Sequence, residues 1–144
     1  SRGVFSIGST IVSWYSRKQR SVALSSAEAK YMAASLAACE AIWMRKILVG
    51  LFGSHLDPTV IYCDNQSCIK LSANPVFHDR SKHIDIRYHH IRDCVQRRIM
   101  LLSYIPTEDQ DADILTKALT RSKFEYHRGR IGVADNPYLV EREC

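Results

Sequence analysis

Two aspartates occupy positions where a carboxylate could do chemistry. Asp64 ends an apolar strand predicted from Val60, Ile61 and Tyr62, and Asp113 lies near the front of a later predicted helix. A carboxylate at the carboxyl end of a strand is where open α/β sheets commonly bind ligands. If the two side chains converge, their oxygens could hold Mg²⁺, or Mn²⁺, together with water and substrate phosphates. The pair therefore suggests metal-assisted phosphodiester chemistry.

Each aspartate also has a purely structural explanation. Asp64 could cap the short helix predicted at Ser67–Ser72 by accepting a backbone N–H. Asp113 could stabilise the first turn of the helix predicted at Asp111–Leu119, where an acid favours the helix dipole by roughly 0.3–1 kcal/mol. The sequence alone leaves both explanations open.

Zinc is a competing interpretation of the same region. Cys63 and Cys68, followed by His78 and His83, supply four possible ligands, but the nine residues between the pairs are fewer than a finger's usual twelve. Neighbouring strand residues point to opposite faces, so Cys63 and Asp64 cannot serve one site.

His89 and His90 form another candidate pair on a predicted amphipathic helix. They could titrate or contact a phosphate. The simpler expectation is one packed histidine and one exposed histidine.

The elements that must position these residues begin with a hairpin and a long helix. Val4–Ile7 and Thr10–Ser16 are rich in β-branched and aromatic side chains and predict a hairpin, which Val22–Leu24 could extend or follow as a third strand. The capping box Ser25-x-x-Glu28 then predicts a helix. This helix should end near the glycines at positions 50 and 53.

The second half predicts alternating strands and helices. After the strand that ends at Asp64 come the short helix, an amphipathic helix over residues 84–98, a strand at Ile99–Ile105 and the helix at Asp111–Leu119. The order β-β-(β)-α-β-α-β-α predicts an α/β fold in which helices surround a mixed sheet.

Composition predicts one globular domain. The chain has 144 residues, a net charge of +5, 24% charged residues and 46% hydrophobic residues, close to globular averages. No apolar run approaches the roughly 20 residues that span a bilayer.

Five irregularly spaced cysteines indicate a reducing compartment, cytoplasmic or nuclear. The first ten residues begin without Met and lack a secretory pattern, which indicates an internal cut from a longer protein.

Basic residues form two clusters that could bind nucleic acid. The candidate phosphate contacts are Arg17, Lys18, Arg20, Arg80, Lys82 and Arg87. Such clusters attract polyanions through a sequence-independent, salt-sensitive Coulombic interaction. They are equally compatible with a solvated surface.

Taken as a set, these residues resemble the RNase H domain of copia-type LTR retrotransposon polyproteins. The resemblance spans roughly residues 1–132 and leaves 133–144 as a tail; its motifs are GSTIVSWYSRKQRSVALSSAEAKYMAAS, CEAIWMRKIL, IYCDNQSCIKLSANPVFHDRSKHIDIRYHHIRD and TEDQDADILTKAL. It implies a ribonuclease H-like fold. In active members it also implies two-metal hydrolysis of the RNA strand of an RNA–DNA hybrid.

The resemblance implies a site of four carboxylates, of which this chain shows two. Asp64 and Asp113 match the third and fourth positions. The helix glutamate falls directly before Tyr31, where this chain has Lys30. Glu28 lies two residues earlier, about 200° around the helix, so it should not substitute. Lys30 therefore marks a degenerate site position.

The remaining carboxylate, an aspartate, belongs to a first strand that should precede Ser1. In the resembling fold this strand is central, so its absence would leave two neighbouring strands with unpaired edges. We expect the two neighbours to close up, or another chain to supply a strand, as a protein partner or in a strand-exchanged dimer.

The sequence thus supports two functions from different classes. One is a retroelement-derived RNase H-like domain with weak or no hydrolysis. The alternative is a catalytically dead domesticated remnant that binds nucleic acid or a protein partner.

Overall fold

The computed structural model describes residues 1–19, 22–53, 55–73 and 89–134. It has the α/β architecture that the sequence predicts. The elements, in chain order, are β1 (Arg2–Ile7), β2 (Thr10–Ser16), α1 (Ser26–Phe52), β3 (Thr59–Cys63), α2 (Gln66–Ala73), α3 (His90–Gln96), β4 (Met100–Tyr104), two 3₁₀ turns (Thr107–Asp109 and Asp111–Leu115) and α4 (Arg121–Arg130).

The predicted hairpin is confirmed. β1 and β2 pair in antiparallel fashion, with Gly3 opposite Tyr15 and an irregularity between Phe5 and Ser6. The turn places Gly8 at a φ of 60°, a left-handed conformation that glycine adopts without steric cost. Residues 22–24 neither extend β2 nor form a third strand.

The long helix α1 begins and ends as its sequence predicts. Ser25 caps it by accepting a hydrogen bond from the Glu28 N–H at 3.2 Å, and a Glu28 carboxylate oxygen accepts from the Leu24 N–H. Gly53 ends the helix in the left-handed conformation, with a φ of 64°. The capping interaction explains why Glu28 is committed to the start of the helix.

The core forms where α1 meets the second half of the chain. Tyr31, Ala34, Ala38 and Ala41 recur on one side of α1 and are buried. They pack in one cluster with the buried residues Met32, Cys63, Cys68, Ile91, Cys94 and Met100. Because these residues come from α1, β3, α2, α3 and β4, the cluster joins the helices to the parallel strands.

The single mixed sheet that the sequence predicts is not present among the described residues. Instead there are two two-stranded sheets, β1 with β2 and β3 with β4, the second being parallel. Strands β1 and β3 do not pair, so the expectation that they would close up is wrong.

Two other predictions need correction. The segment predicted as a helix at Asp111–Leu119 is a 3₁₀ turn that ends at Leu115, because its backbone bonds span three residues, as from the Asp113 N–H to the Gln110 oxygen at 3.0 Å. Helix α4 was not predicted, since its polar sequence lacks an apolar stripe.

Some predictions lie outside the described residues. Helix α3 confirms the second half of the helix predicted over 84–98, and the first half is outside, as are residues 135–144 of the tail. Within the described ranges, no helix combines the length and the apolar composition needed to cross a membrane.

We predict that Gly3→Ala destabilises the hairpin. A Cβ at Gly3 would lie 2.6 Å from the Tyr15 ring, so that ring would have to move. The free energy of unfolding in urea should fall by about 1–3 kcal/mol. Gly50→Ala is the matched control, because nothing lies within 4 Å of its new Cβ. Equal stabilities of the two variants would contradict this account.

Candidate active site

The candidate site lies at one end of a cleft between the two small sheets. The cleft has a volume of about 980 Å³ and is lined by β1 on one side and by β3 on the other. Small side chains of α1, including Ala33, Ala34 and Ala37, form its floor. Asp64 and Lys30 line the same cleft.

Asp64 forms an ion pair with Lys30 and does not cap the helix that follows it. Both of its carboxylate oxygens contact the Lys30 ammonium, at 2.6 Å and 2.9 Å. The expected capping role belongs instead to Asn65, whose side-chain oxygen accepts the Cys68 N–H at 2.9 Å. Only 6% of the Asp64 side chain is exposed, so this carboxylate needs a charged partner, and Lys30 provides it.

Asp113 is also neutralised, by two cations. Lys117 lies one turn along the chain and contacts it at 2.6 Å, and Arg2 reaches it from the start of β1. The Asp113 side chain is 5% exposed. Although Asp113 does lie in the first turn of a 3₁₀ segment, these two ion pairs account for its burial.

Asp64 lines the cleft, and the second 3₁₀ turn, which carries Asp113, begins next to a residue that contacts the end of β3. The Gln110 side chain, just before the second 3₁₀ turn, donates a 3.4 Å hydrogen bond to the Tyr62 carbonyl near the end of β3. Within the part of the chain that the structure describes, no group of three or more His, Cys, Asp or Glu side chains is placed to hold a metal ion. As they are arranged, the described carboxylates therefore do not fit a two-metal site, because each is paired with a cation.

A buried histidine beside this region was missed by the sequence reasoning. The His127 Nδ1 lies 2.8 Å from an Asp111 carboxylate oxygen, and the His127 side chain is 2% exposed. Arg130 adds a contact to Asp111 at 3.2 Å. These contacts attach α4 to the second 3₁₀ turn, and a lone histidine in a polar segment gives no sequence signal of that role.

Cys63 and Cys68 are brought together, as the zinc hypothesis required. The Cys68 thiol donates a hydrogen bond to Cys63, which lowers the pKa of Cys63 to about 7 and, with burial, raises the pKa of Cys68. Both cysteines are buried and free. The other two proposed ligands, His78 and His83, lie outside the described residues.

The two remaining histidines match the simpler expectation. His89 is half-buried, with its Nδ1 3.1 Å from the Tyr31 hydroxyl, and His90 is exposed.

Of the basic candidates, two are described by the structure. Arg17 and Lys18 are both exposed just after β2, and the Arg17 guanidinium lies 5.6 Å from the centre of the Tyr15 ring. Arg20, Arg80, Lys82 and Arg87 lie outside the described residues.

Comparison with known proteins identifies relatives of nearly the whole chain. It is 42% identical over 133 residues to the "Retrovirus-related Pol polyprotein from transposon TNT 1-94" of Nicotiana tabacum, covering 92% of this chain. It is 43% identical over 131 residues to the corresponding polyprotein from transposon RE1 of Arabidopsis thaliana, and 42% identical over 131 residues to that from RE2. Each Arabidopsis match covers 91% of this chain.

Over most of its length, the chain is similar to a part of these retrotransposon Pol polyproteins. It spans about a tenth of the length of these relatives: 10% of the tobacco polyprotein and 9% of each Arabidopsis polyprotein. The predicted resemblance is thus confirmed as far as the retrotransposon polyproteins are concerned. No protein-family model matches the chain, and no solved structure matches it significantly.

We predict that Lys30→Met destabilises the chain by leaving the buried Asp64 charge without its partner. The free energy of unfolding in urea should fall by about 1–3 kcal/mol. Lys70→Met, on the exposed side of α2, is the matched control and should change it by less than about 0.5 kcal/mol.

The double variant Lys30→Met with Asp64→Asn separates the ion pair from other effects. If the pair is responsible, removing both charges should cost less than the sum of the two single losses. Strict additivity would show that Lys30 and Asp64 do not stabilise each other.

Proposed function

We propose that this chain is the RNase H portion of a retroelement polyprotein and that its hydrolytic activity is weak or absent. The ancestral reaction would be endonucleolytic hydrolysis of the RNA strand of an RNA–DNA hybrid, with two Mg²⁺ or Mn²⁺ ions stabilising the attacking and leaving oxygens. The polyprotein relatives and the position of Asp64 at the end of β3 support the ancestry.

The Lys30–Asp64 ion pair is the main support for the proposal that hydrolysis is weak or absent. An ammonium lies within 2.9 Å of both oxygens that would bind a metal. A second cation about 4 Å from this ammonium would be repelled by about 4 kcal/mol per unit charge at an effective dielectric of 20. A divalent ion would meet twice that repulsion, so metal affinity at Asp64 should be low.

Asp113 supports the same conclusion. Its two oxygens are divided between Arg2 and Lys117, so a metal ion would have to displace a cation from each. A carboxylate that already has two cationic partners offers a metal less than one that faces water.

The second candidate function is binding of nucleic acid without cleavage. The exposed cations Arg17 and Lys18, in a chain with a net charge of +5, favour it. Arg17 and Lys18 follow β2 directly and are exposed, so phosphates could reach them. Their contribution would be electrostatic and independent of sequence.

We predict that the unmodified chain does not cleave a labelled RNA–DNA hybrid in Mg²⁺ or Mn²⁺. A version with Lys30→Glu and an added N-terminal strand that carries an aspartate should gain cleavage, because both changes supply a carboxylate and the first also removes the blocking ammonium. Lys70→Glu with the same strand is the charge-matched control and should remain inactive. Product length on a denaturing gel measures the outcome.

Cleavage by the unmodified chain would refute the loss of activity. Binding of the hybrid without cleavage, with an affinity that falls steeply as salt rises, would favour the second function. Absence of both binding and cleavage in every version would refute both proposals.

A further inference from the structure

Cys63 and Cys68 place two sulfur atoms in direct contact. Cys63 is the last residue of β3, and Cys68 lies in the first turn of α2. The Cys68 thiol donates a hydrogen bond to the Cys63 sulfur, and the Cys63 thiol lies 3.7 Å from the Asn65 carbonyl oxygen, to which it donates. A disulfide brings two sulfur atoms to about 2.05 Å, so only a short approach separates thiols in contact from a covalent bond.

Asn65 holds the backbone around this contact from both sides. Its carbonyl oxygen accepts the Cys63 thiol and, at 3.3 Å, the Ile69 N–H. Its side-chain oxygen accepts the Cys68 N–H at 2.9 Å. These bonds connect the end of β3 to the start of α2. The folded backbone therefore keeps the two sulfur atoms together.

The two thiols differ in their access to small molecules. Cys63 lines the cleft between the two small sheets, although only 5% of the residue is exposed. Cys68 is 0% exposed and lies in the core cluster. A small reagent that enters the cleft therefore meets the Cys63 sulfur first, with the Cys68 sulfur in contact behind it.

The other two described cysteines have different surroundings. Cys39 is exposed on α1, whereas Cys94 is 1% exposed, with its sulfur 3.5 Å from the His90 Nε2. Exposure alone would make Cys39 the first of the described thiols to be oxidised. Contact with a second thiol favours Cys63 instead, because a sulfenic acid formed there can condense at once with Cys68. The two criteria therefore predict different products.

We propose that Cys63 and Cys68 are a modification site at which a hydroperoxide converts the two thiols to an intramolecular disulfide. Hydrogen peroxide is the oxidant, and a low-molecular-weight thiol reverses the modification by exchange. The site depends only on the contact and the access of the two sulfur atoms. It therefore stands whether or not the chain hydrolyses RNA.

The oxidation takes two steps. The Cys63 sulfur attacks one peroxide oxygen, the O–O bond breaks, and Cys63 becomes a sulfenic acid while the departing hydroxide leaves as water with the thiol proton. The Cys68 sulfur then attacks the Cys63 sulfur, and an S–S bond replaces the S–O bond. The second hydroxide leaves as water with the Cys68 proton. The two thiols have then supplied the two electrons that reduce one peroxide to two waters.

Peptide mapping tests this modification directly, because trypsin cuts after Lys46 and Lys70. The resulting peptide 47–70 carries Cys63 and Cys68 and no other cysteine, so the disulfide lowers its mass by two hydrogen atoms. The reduced 144-residue chain, treated with a chelator to remove metal ions, is exposed to hydrogen peroxide, alkylated and digested. The loss of two hydrogens should be about tenfold faster than oxidation of Cys39, and dithiothreitol should restore the original mass.

Two variants assign the order of attack. Cys68→Ser removes the second sulfur, so Cys63 should stop at the sulfenic acid, which dimedone traps as an adduct on peptide 47–70. In Cys63→Ser the remaining Cys68 is fully buried, so dimedone labelling should be about tenfold slower. Cys94→Ser is the matched control at another buried cysteine and should form the disulfide at the unmodified rate. If a variant fails to fold, as judged by circular dichroism, the mapping of the unmodified chain still decides the question.

Four results would overturn the proposal. The first is oxidation of Cys39 while peptide 47–70 keeps its mass. The second is a disulfide that joins peptide 47–70 to another cysteine peptide in place of the internal bond. The third is equal dimedone labelling of Cys63→Ser and Cys68→Ser. The fourth is the same preference for peptide 47–70 in concentrated urea, which would make the spacing in the sequence responsible and not the folded contact.

Discussion

Burial of one side of α1 is the constraint on which the rest of the structure depends. The two small sheets share no strand pairing, so what they have in common is the helix against which both lie. Complete burial of a side chain such as Ile91 or Met100 stabilises a protein by roughly 1.5–3 kcal/mol, and both pack in the cluster that α1 supports. The accurate capping of α1 by Ser25 and Gly53 therefore matters to every element around it.

Ion pairs connect the elements that contribute few side chains to this core. Arg2 connects the hairpin to the second 3₁₀ turn through Asp113, and His127 connects that turn to α4 through Asp111. Asp64 and Asp113, for which the resemblance implies a metal site, instead form ion pairs within this chain. Their charges are compensated within the chain, so burial does not leave them isolated.

The sequence predicted the elements better than their assembly. Local signals were sufficient for the hairpin around Gly8 and for α1, because turn and capping preferences act over a few residues. The separation of β1 from β3 depends on pairing between distant segments, and α4 depends on the contact between His127 and Asp111. At the site, the mismatch at Lys30 was visible in the sequence, but its contact with Asp64 and the cations around Asp113 were not, because they join residues far apart in the chain.

The identity of residue 30, beside Asp64, can change by a single mutation. Lysine and glutamate codons differ by one base, and the two residues have similar helix propensities, so the exchange leaves α1 intact. A single nucleotide substitution at position 30 would reverse the charge that faces Asp64 without rebuilding the fold. Under the proposed function, this step would be one of the shortest routes between a carboxylate site that is open to a metal ion and one that a lysine blocks, in either direction.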